Sequence, residues 1–335
     1  MRRTRRILLT AFLLACGARV YASVNAAQAS PCADRHPMTD AWFTGPMLAN
    51  TAATAPRGHT LIEPYFYDVS TQGEYSSSGA RHATPRENSY GSLSYLIYGL
   101  TDRTGIGLIP TFGYNTISGE PSSSGPGIGD LTVQLQRGLT QFQPCRRVPA
   151  VSFAVQQTLP TGRYDRLGQR SANGFGGGAY TTNPALYSQM YFWLPNRRIV
   201  RTRLDISDAF SRAVTVQDAS VYGTSAGFRG TAHLGSSLCI DNSWEYSLTR
   251  SWVLALDATF RNTGNTRVVG SYPSPSQSAT TTVTNSGWSE AWGLAPAVEY
   301  SWRPWIGVLV GVRTIPAGRN TSESITPAIA VNIVH

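Results

Sequence analysis

The sequence predicts an all-β protein, a transmembrane antiparallel up-and-down β-barrel of about 12 strands with short periplasmic turns and long extracellular loops. A hairpin within residues 127–165 sets the pattern. Leu131, Val133 and Leu135 alternate with Thr132, Gln134 and Gln136; after the turn, Val151, Phe153 and Val155 alternate with Ser152, Ala154 and Gln156. Period 2 gives one apolar face and one polar or small face. The same half-and-half strand recurs down the chain, with no amphipathic helix between repeats. Charged residues are only 14%, against about 25% in soluble domains. No run of about 18 apolar residues exists to cross a bilayer as a helix. A weakly charged, exported chain of alternating strands fits the outer-membrane class.

Export is read from residues 1–29. Arg2, Arg3, Arg5 and Arg6 form a basic start, and residues 7–15 form an apolar stretch too short to span. Ala27-Gln28-Ala29 supplies a small-x-small cleavage site before Ser30. Two rival signals exist. Leu13-Leu14-Ala15-Cys16 resembles a lipobox, which would make Cys16 a lipidated first residue; Thr4-Arg5-Arg6 faintly resembles a twin-arginine signal, a route for folded proteins that a membrane barrel cannot take. Without the five arginines of this segment the formal charge falls from +9 to +4, and the chain holds no lysine. With no basic run or stripe, nucleic acid is excluded as a partner.

Residues 30–58 have no periodicity and carry several prolines, so they form a periplasmic leader or a plug. Trp42, Phe43, Met47 and Leu48 have no strand to join. Leaving such side chains in water forgoes about 1.5–3 kcal/mol each, so the segment either rises into the lumen or docks on the periplasmic mouth.

The barrel is expected over residues 59–335. Strands are read at about 59–70, 90–100, 104–114, 127–136, 150–160, 184–194, 199–210, 233–248, 252–260, 291–302, 305–313 and 326–335. Tight turns such as Thr101-Asp102-Arg103, Pro195-Asn196-Arg197-Arg198 and Thr249-Arg250-Ser251 alternate with long connections rich in Gly, Ser and Thr. This asymmetry and the even count put both barrel termini in the periplasm. Ile329, Val331 and Ile333 alternate to the end of the chain, as a final strand read by the barrel-assembly machinery should; His335 stands where an aromatic is usual.

Apolar residues belong toward lipid, because a charge at the membrane midplane costs about 2–4 kcal/mol. The lipid face is then Ile62, Phe66, Leu93, Tyr95, Ile97, Leu204, Leu254, Leu256, Ile306, Val308 and Val310. The lumen is expected to be lined by Glu63, Tyr65, Tyr67, Tyr98, Tyr187, Tyr191, Arg201, Arg203, Asp241, Glu245, Asp257, Glu299 and Arg313, with Asp205 and Trp193 on the same side. Trp252, Tyr300, Trp302 and Trp305 fall where an interfacial girdle sits. Both signs of charge line the lumen. They either pair across a narrow barrel or form a polar constriction; a single-sign ring, which would argue for ion selectivity, is not present. The inward tyrosines either fill space or stack on an aromatic solute.

No catalytic residues are expected. His59 and His233 lack a serine two positions on, and no nucleophile with a base in reach is recognisable. Gly174-Phe175-Gly176-Gly177-Gly178 has no helix after it to make a phosphate cradle. His and Cys are too few and scattered for a metal site, and no cofactor is implied.

Several segments together resemble a family. Trp42-Phe43-Thr44-Gly45-Pro46-Met47-Leu48-Ala49 and Ile62-Glu63-Pro64-Tyr65 look like its start. Gly127-Ile128-Gly129-Asp130-Leu131 and Leu159-Pro160-Thr161-Gly162-Arg163-Tyr164 look like its centre, and Ala295-Pro296-Ala297-Val298-Glu299-Tyr300 looks like its late strand. The family is the proteobacterial outer-membrane β-barrel family named after the phenol-degradation meta-pathway. The resemblance implies an outer-membrane transporter for small molecules, aromatic or hydrophobic ones among them, with membrane lipid and a small solute as partners. A structural or surface-interaction barrel with a closed lumen is the alternative.

Cleavage after Ala29 would leave Cys32, Cys145 and Cys239 in an oxidising compartment. Cys32 in the leader and Cys145 in a short turn both belong at the periplasmic mouth, whereas Cys239 lies well up a strand. Disulfide geometry needs Cα atoms within about 7 Å, so a Cys32–Cys145 bond with Cys239 free is expected.

Overall fold

The computed structural model describes residues 37–143, 145–272 and 281–335. The expected signal segment, Cys16 and Cys32 lie outside these residues. In chain order the strands are β1 (Thr60–Tyr75), β2 (Arg81–Thr101), β3 (Thr104–Ile109), β4 (Thr111–Ile117), β5 (Gly127–Ile128), β6 (Leu131–Thr140), β7 (Ala150–Leu159), β8 (Thr181–Trp193) and β9 (Ile199–Ser211). They continue with β10 (Val214–Gln217), β11 (Arg229–His233), β12 (Ser237–Ser247), β13 (Trp252–Thr263), β14 (Arg267–Ser271), β15 (Thr281–Asn285), β16 (Ser289–Arg303), β17 (Ile306–Arg319) and β18 (Thr321–Val334). Among the described residues, no helix is long and apolar enough to cross a membrane.

Neighbours pair antiparallel around a closed wall, because β1 pairs with β18 on one side and with β2 on the other. β3 with β4 makes one crossing, interrupted at Pro110, which has no N–H for the ladder. β5 with β6 makes the next, interrupted at Gly129 and Asp130. Counted this way, the described residues form a closed barrel of twelve crossings. Closure leaves no sheet edge in lipid, the condition a spanning sheet has to meet.

Alternation puts Phe66, Ile128, Leu254, Leu256 and Val310 outward and exposed, while Ser152, Ser243, Glu245, Asp257 and Glu299 are fully buried inside. Outward aromatics mark the two rims. Trp252 and Tyr300 pack at 4.6 Å near the short turns, and Phe260 and Trp292 pack at 4.5 Å further along the same two strands.

Two expected loops are strand instead. The connections read at 71–88 and 314–325 are mostly extensions of β1, β2, β17 and β18, closed by a turn at 76–80 and by Asn320. These extensions are polar on their outer face, while on the inner face Tyr75 and Ile315 are buried and the Tyr75 hydroxyl donates to the Ile315 carbonyl at 3.4 Å. Arg81 pairs with Glu323 there at 2.6 Å, and the ion pair holds the Glu323 carboxyl below its ordinary range. β10, β11, β14 and β15 form a separate four-stranded sheet within the expected long loops.

Candidate functional site: the lumen and its N-terminal segment

Residues 41–56 carry no charge and are mostly small, with Pro46 and Pro56 preventing regular pairing. An extended segment of this kind brings backbone N–H groups that need acceptors wherever it is buried. The barrel provides them as carboxylates. Thr44 donates its N–H to Glu299 Oε2 at 2.7 Å and its hydroxyl at 2.9 Å, and Gly45 N–H donates to the same oxygen at 3.1 Å. Met47 N–H donates to Asp257 Oδ2 at 3.0 Å, and Ala49 N–H to Asp257 Oδ1 at 3.2 Å. Asn50 N–H donates to Asp205 Oδ2 at 2.6 Å, with its side-chain amide on the same oxygen at 3.2 Å. Pro46 falls between two donors, at a position where no N–H is needed.

The segment enters and leaves at the end of the barrel that carries the short turns. Trp42 N–H donates to the Arg250 carbonyl at 2.8 Å, and the Arg250 guanidinium lies 4.5 Å over the Trp42 ring. At the far end Thr54 donates to the Asp102 carbonyl and Arg57 N–H to the Asp102 side chain. Both anchors are short turns at the same end of the barrel, so the segment loops into the lumen and back out. It lies on a floor of small inward residues: Met47 clusters with Ala255, Ala295, Ala297, Leu309, Ala328 and Ala330. Gly45 has φ +135°, a conformation that favours glycine and lets the chain turn at Glu299.

Arginines complete the holding charge. Arg201 forks onto Glu245 and lies 4.5 Å over the Phe43 ring, while Arg203 donates to the Ala49 carbonyl at 2.7 Å. Arg203 Nε stands 3.6 Å from Glu245, so this carboxylate lies between two guanidiniums. Asn332 bridges Glu63 to the Thr44 carbonyl. Charge-assisted bonds of this kind are roughly twice as strong as neutral ones.

The segment divides the lumen. The outer chamber, of about 220 Å³, lies toward the long loops, and the inner one, of about 200 Å³, lies toward the short turns. Both are lined by Leu48, Asn50 and Tyr95, which therefore form the partition.

Of the residues read as lumen-lining, Tyr65, Tyr187, Arg201, Arg203, Asp241, Glu245, Asp257 and Glu299 are buried inside the barrel. Glu63, Tyr67 and Arg313 line cavities inside the barrel, and Tyr191 packs on Phe43 and Phe142 at the short-turn mouth. Tyr98 does not belong to this set. It faces outward, 45% exposed, beside Gly99, where an added Cβ would sit 2.1 Å from the Pro56 carbonyl oxygen. Leu93, Tyr95 and Ile97, placed toward lipid from the sequence, correspondingly face the lumen. Strand β2 is apolar on both faces, so alternation alone does not choose between them, and a one-residue slip exchanges the faces. The inward face packs on Met47 and Leu48, partners that no strand-by-strand reading supplies.

The segments that carried the family resemblance meet in space. The first is the lumenal segment itself, and the late-strand one provides Ala295, Ala297 and Glu299 beneath it. The central ones form a knot at the break between β5 and β6. Asp130 accepts from Gly162 N–H at 2.9 Å and from Gly177 N–H at 2.8 Å, and the Thr161 hydroxyl donates to the Gly129 carbonyl at 2.8 Å. Tyr222 donates to the Gly177 carbonyl from the neighbouring loop; burial, with Asp130 and Tyr164 close by, pushes its hydroxyl up to about 12. The glycine-rich run is thus a loop fastened to the barrel wall. Among the described residues, no group of acids, histidines and cysteines is arranged to hold a metal ion.

No family model matches the chain, and no curated protein matches it in sequence. Solved structures do match. The COG4313 outer membrane channel from Pseudomonas putida F1 superimposes with a TM-score of 0.63 at 16% identity, over 86% of this chain and 100% of that one. The TodX deltaS2S3 mutant, a monoaromatic hydrocarbon channel, gives 0.42 at 10% identity over 91% of this chain and 98% of that one. The β domain of the Bordetella autotransporter BrkA gives 0.42 at 10% identity over 83% and 99%. The first of these likenesses establishes the fold, a closed antiparallel barrel of outer-membrane type.

Proposed function

We propose that this protein is a narrow outer-membrane channel for small molecules, with no enzymatic activity, whose bore is set by residues 41–56 seated in the lumen. The observation that carries this reading is the pair of chambers that meet at Leu48, Asn50 and Tyr95. A barrel of about eight strands is filled by its own side chains and one of sixteen or more holds an open aqueous channel. At twelve crossings the lumen has room for an inserted segment and for a chamber on each side of it. Aromatic solutes belong to the proposed class, because Tyr95 and Tyr187 line the outer chamber. The resemblance to the phenol meta-pathway family supports the same class.

Planar-bilayer conductance of the purified protein, paired with liposome uptake of phenol, tests the reading. Measurable conductance that rises when residues 41–56 are deleted is the expected result. Absence of both conductance and uptake, in wild type and deletion alike, overturns it. The outcome would then favour a closed surface barrel, for which the four-stranded sheet of β10, β11, β14 and β15 is the supporting feature.

A further inference from the structure

The outer chamber carries an acidic and a basic pole that, among the described residues, no salt bridge joins. At one pole, Asp205 on β9 stands directly opposite Asp241 on β12. The two are only 7% and 6% exposed, and both line the chamber. Asp205 Oδ2 is taken by Asn50, but Asp205 Oδ1 and Asp241 Oδ1 are buried with no hydrogen-bond partner. Like charges directly opposite one another destabilise a strand pair, and a buried acceptor left unmade costs its full desolvation. At the other pole are Arg261 on β13 and Arg313 on β17, and Arg313 Nε is likewise buried without a partner. Among the described residues, no ion pair links either arginine to either aspartate.

From this arrangement we infer that the outer chamber binds a small zwitterion, of the size and charge pattern of a free amino acid. Its ammonium group donates to Asp205 Oδ1 and Asp241 Oδ1, and its carboxylate accepts from Arg261 and Arg313. The inference rests on the channel reading in that it names the solute class, yet binding is measurable without conduction. A bare divalent cation fits poorly, since calcium seeks six to eight oxygens and two guanidiniums share the chamber. A simple anion would leave the aspartate oxygens unmet. The volume of about 220 Å³ lies below the usual range of drug-sized pockets, about 300–1,000 Å³, which limits the ligand to a small molecule. Tyr95 and Tyr187 provide aromatic neighbours for its side chain.

Isothermal titration of the full-length protein in detergent micelles tests the site, with L-phenylalanine, phenethylamine and 3-phenylpropionate as probes that differ only in charge. Phenylalanine is expected to bind about tenfold or more tighter than either singly charged analogue. Asp241→Asn is expected to abolish the preference over 3-phenylpropionate, and Arg313→Gln the preference over phenethylamine. Heat-modifiable gel mobility establishes that each variant is a folded barrel. Equal affinity for all three probes, or an unchanged preference in both folded variants, overturns the inference. A protein that binds phenylalanine selectively but shows neither conductance nor uptake, with or without residues 41–56, would overturn the channel reading and leave this site standing.

Discussion

Met47 N–H donates to Asp257 Oδ2 at 3.0 Å across 210 residues of sequence, and the same carboxylate also takes Ala49 N–H. One buried acid thereby holds the middle of the lumenal segment. Asp257→Ala is expected to speed amide exchange at Met47 and Ala49 without lowering the melting temperature of the barrel by a comparable degree. Each buried N–H left without its acceptor costs about 1–3 kcal/mol of local stability, or roughly five- to a hundredfold in exchange rate. Unchanged exchange at both amides would show that the segment is held by packing alone.

Alternation in β9, β13 and β16 made Asp205, Asp257 and Glu299 legible as inward acids, since a charge facing lipid is costly. Their role was not legible, because their partners are backbone N–H groups and backbone leaves no trace in a pattern of side chains. The apolar groups at Trp42, Phe43, Met47 and Leu48 did point to a buried leader. The signal for its seat is the row of small inward residues, Ala295, Ala297, Ala328 and Ala330, which period-2 reading scores as neutral. On β2 the pattern was symmetric, and the inward face was fixed by packing against a segment that has no periodicity of its own. The strand extensions are rich in Gly, Ser, Thr and charged residues, with Tyr75 and Ile315 as isolated buried apolar groups, so composition made them look like loops.

The reassignment of β2 predicts opposite results from two neighbouring tyrosines. Tyr95 lines both chambers beside Leu48 and Asn50, whereas Tyr98 faces outward. Tyr95→Ala is expected to raise single-channel conductance, and Tyr98→Ala to leave it at the wild-type value. An effect of Tyr98→Ala equal to that of Tyr95→Ala would restore the register read from the sequence.

Tyr222 predicts a signature at high pH. Its hydroxyl is raised from the ordinary value near 10 to about 12, so the docked loop retains a proton that the undocked loop would lose. The stabilisation is therefore complete below about pH 10 and is lost as pH rises through about 12. Tyrosinate absorbance near 295 nm, measured on wild type and Tyr222→Phe, isolates this group by difference. The missing step should centre near pH 12; a step near pH 10 would mean that the hydroxyl is not held against Gly177.

Cys145 lies in the turn between β6 and β7 and is disulfide-bonded, while Cys239 on β12 is a free thiol. Cys32 is outside the described residues, and topology makes it the predicted partner. Met38, six positions further along, shares a cavity with Gln141 and Phe142 of the same turn. Six residues of extended chain reach about 20 Å, enough to return Cys32 to Cys145 but not to follow β12 up to Cys239. A Cys32–Cys145 bond would tie the lumenal segment to the barrel on its entry side, closing a loop of over a hundred residues worth up to about 4.7 kcal/mol in the chain-entropy model. Little of that applies to the barrel itself; it acts on return of the segment after release. Peptide mapping without reductant should recover Cys32 and Cys145 in one linked species, and reductant should raise conductance in wild type but not in a protein lacking residues 41–56. Alkylation of Cys32 before reduction would show that Cys145 has another partner and that the segment is held in the lumen by its carboxylates alone.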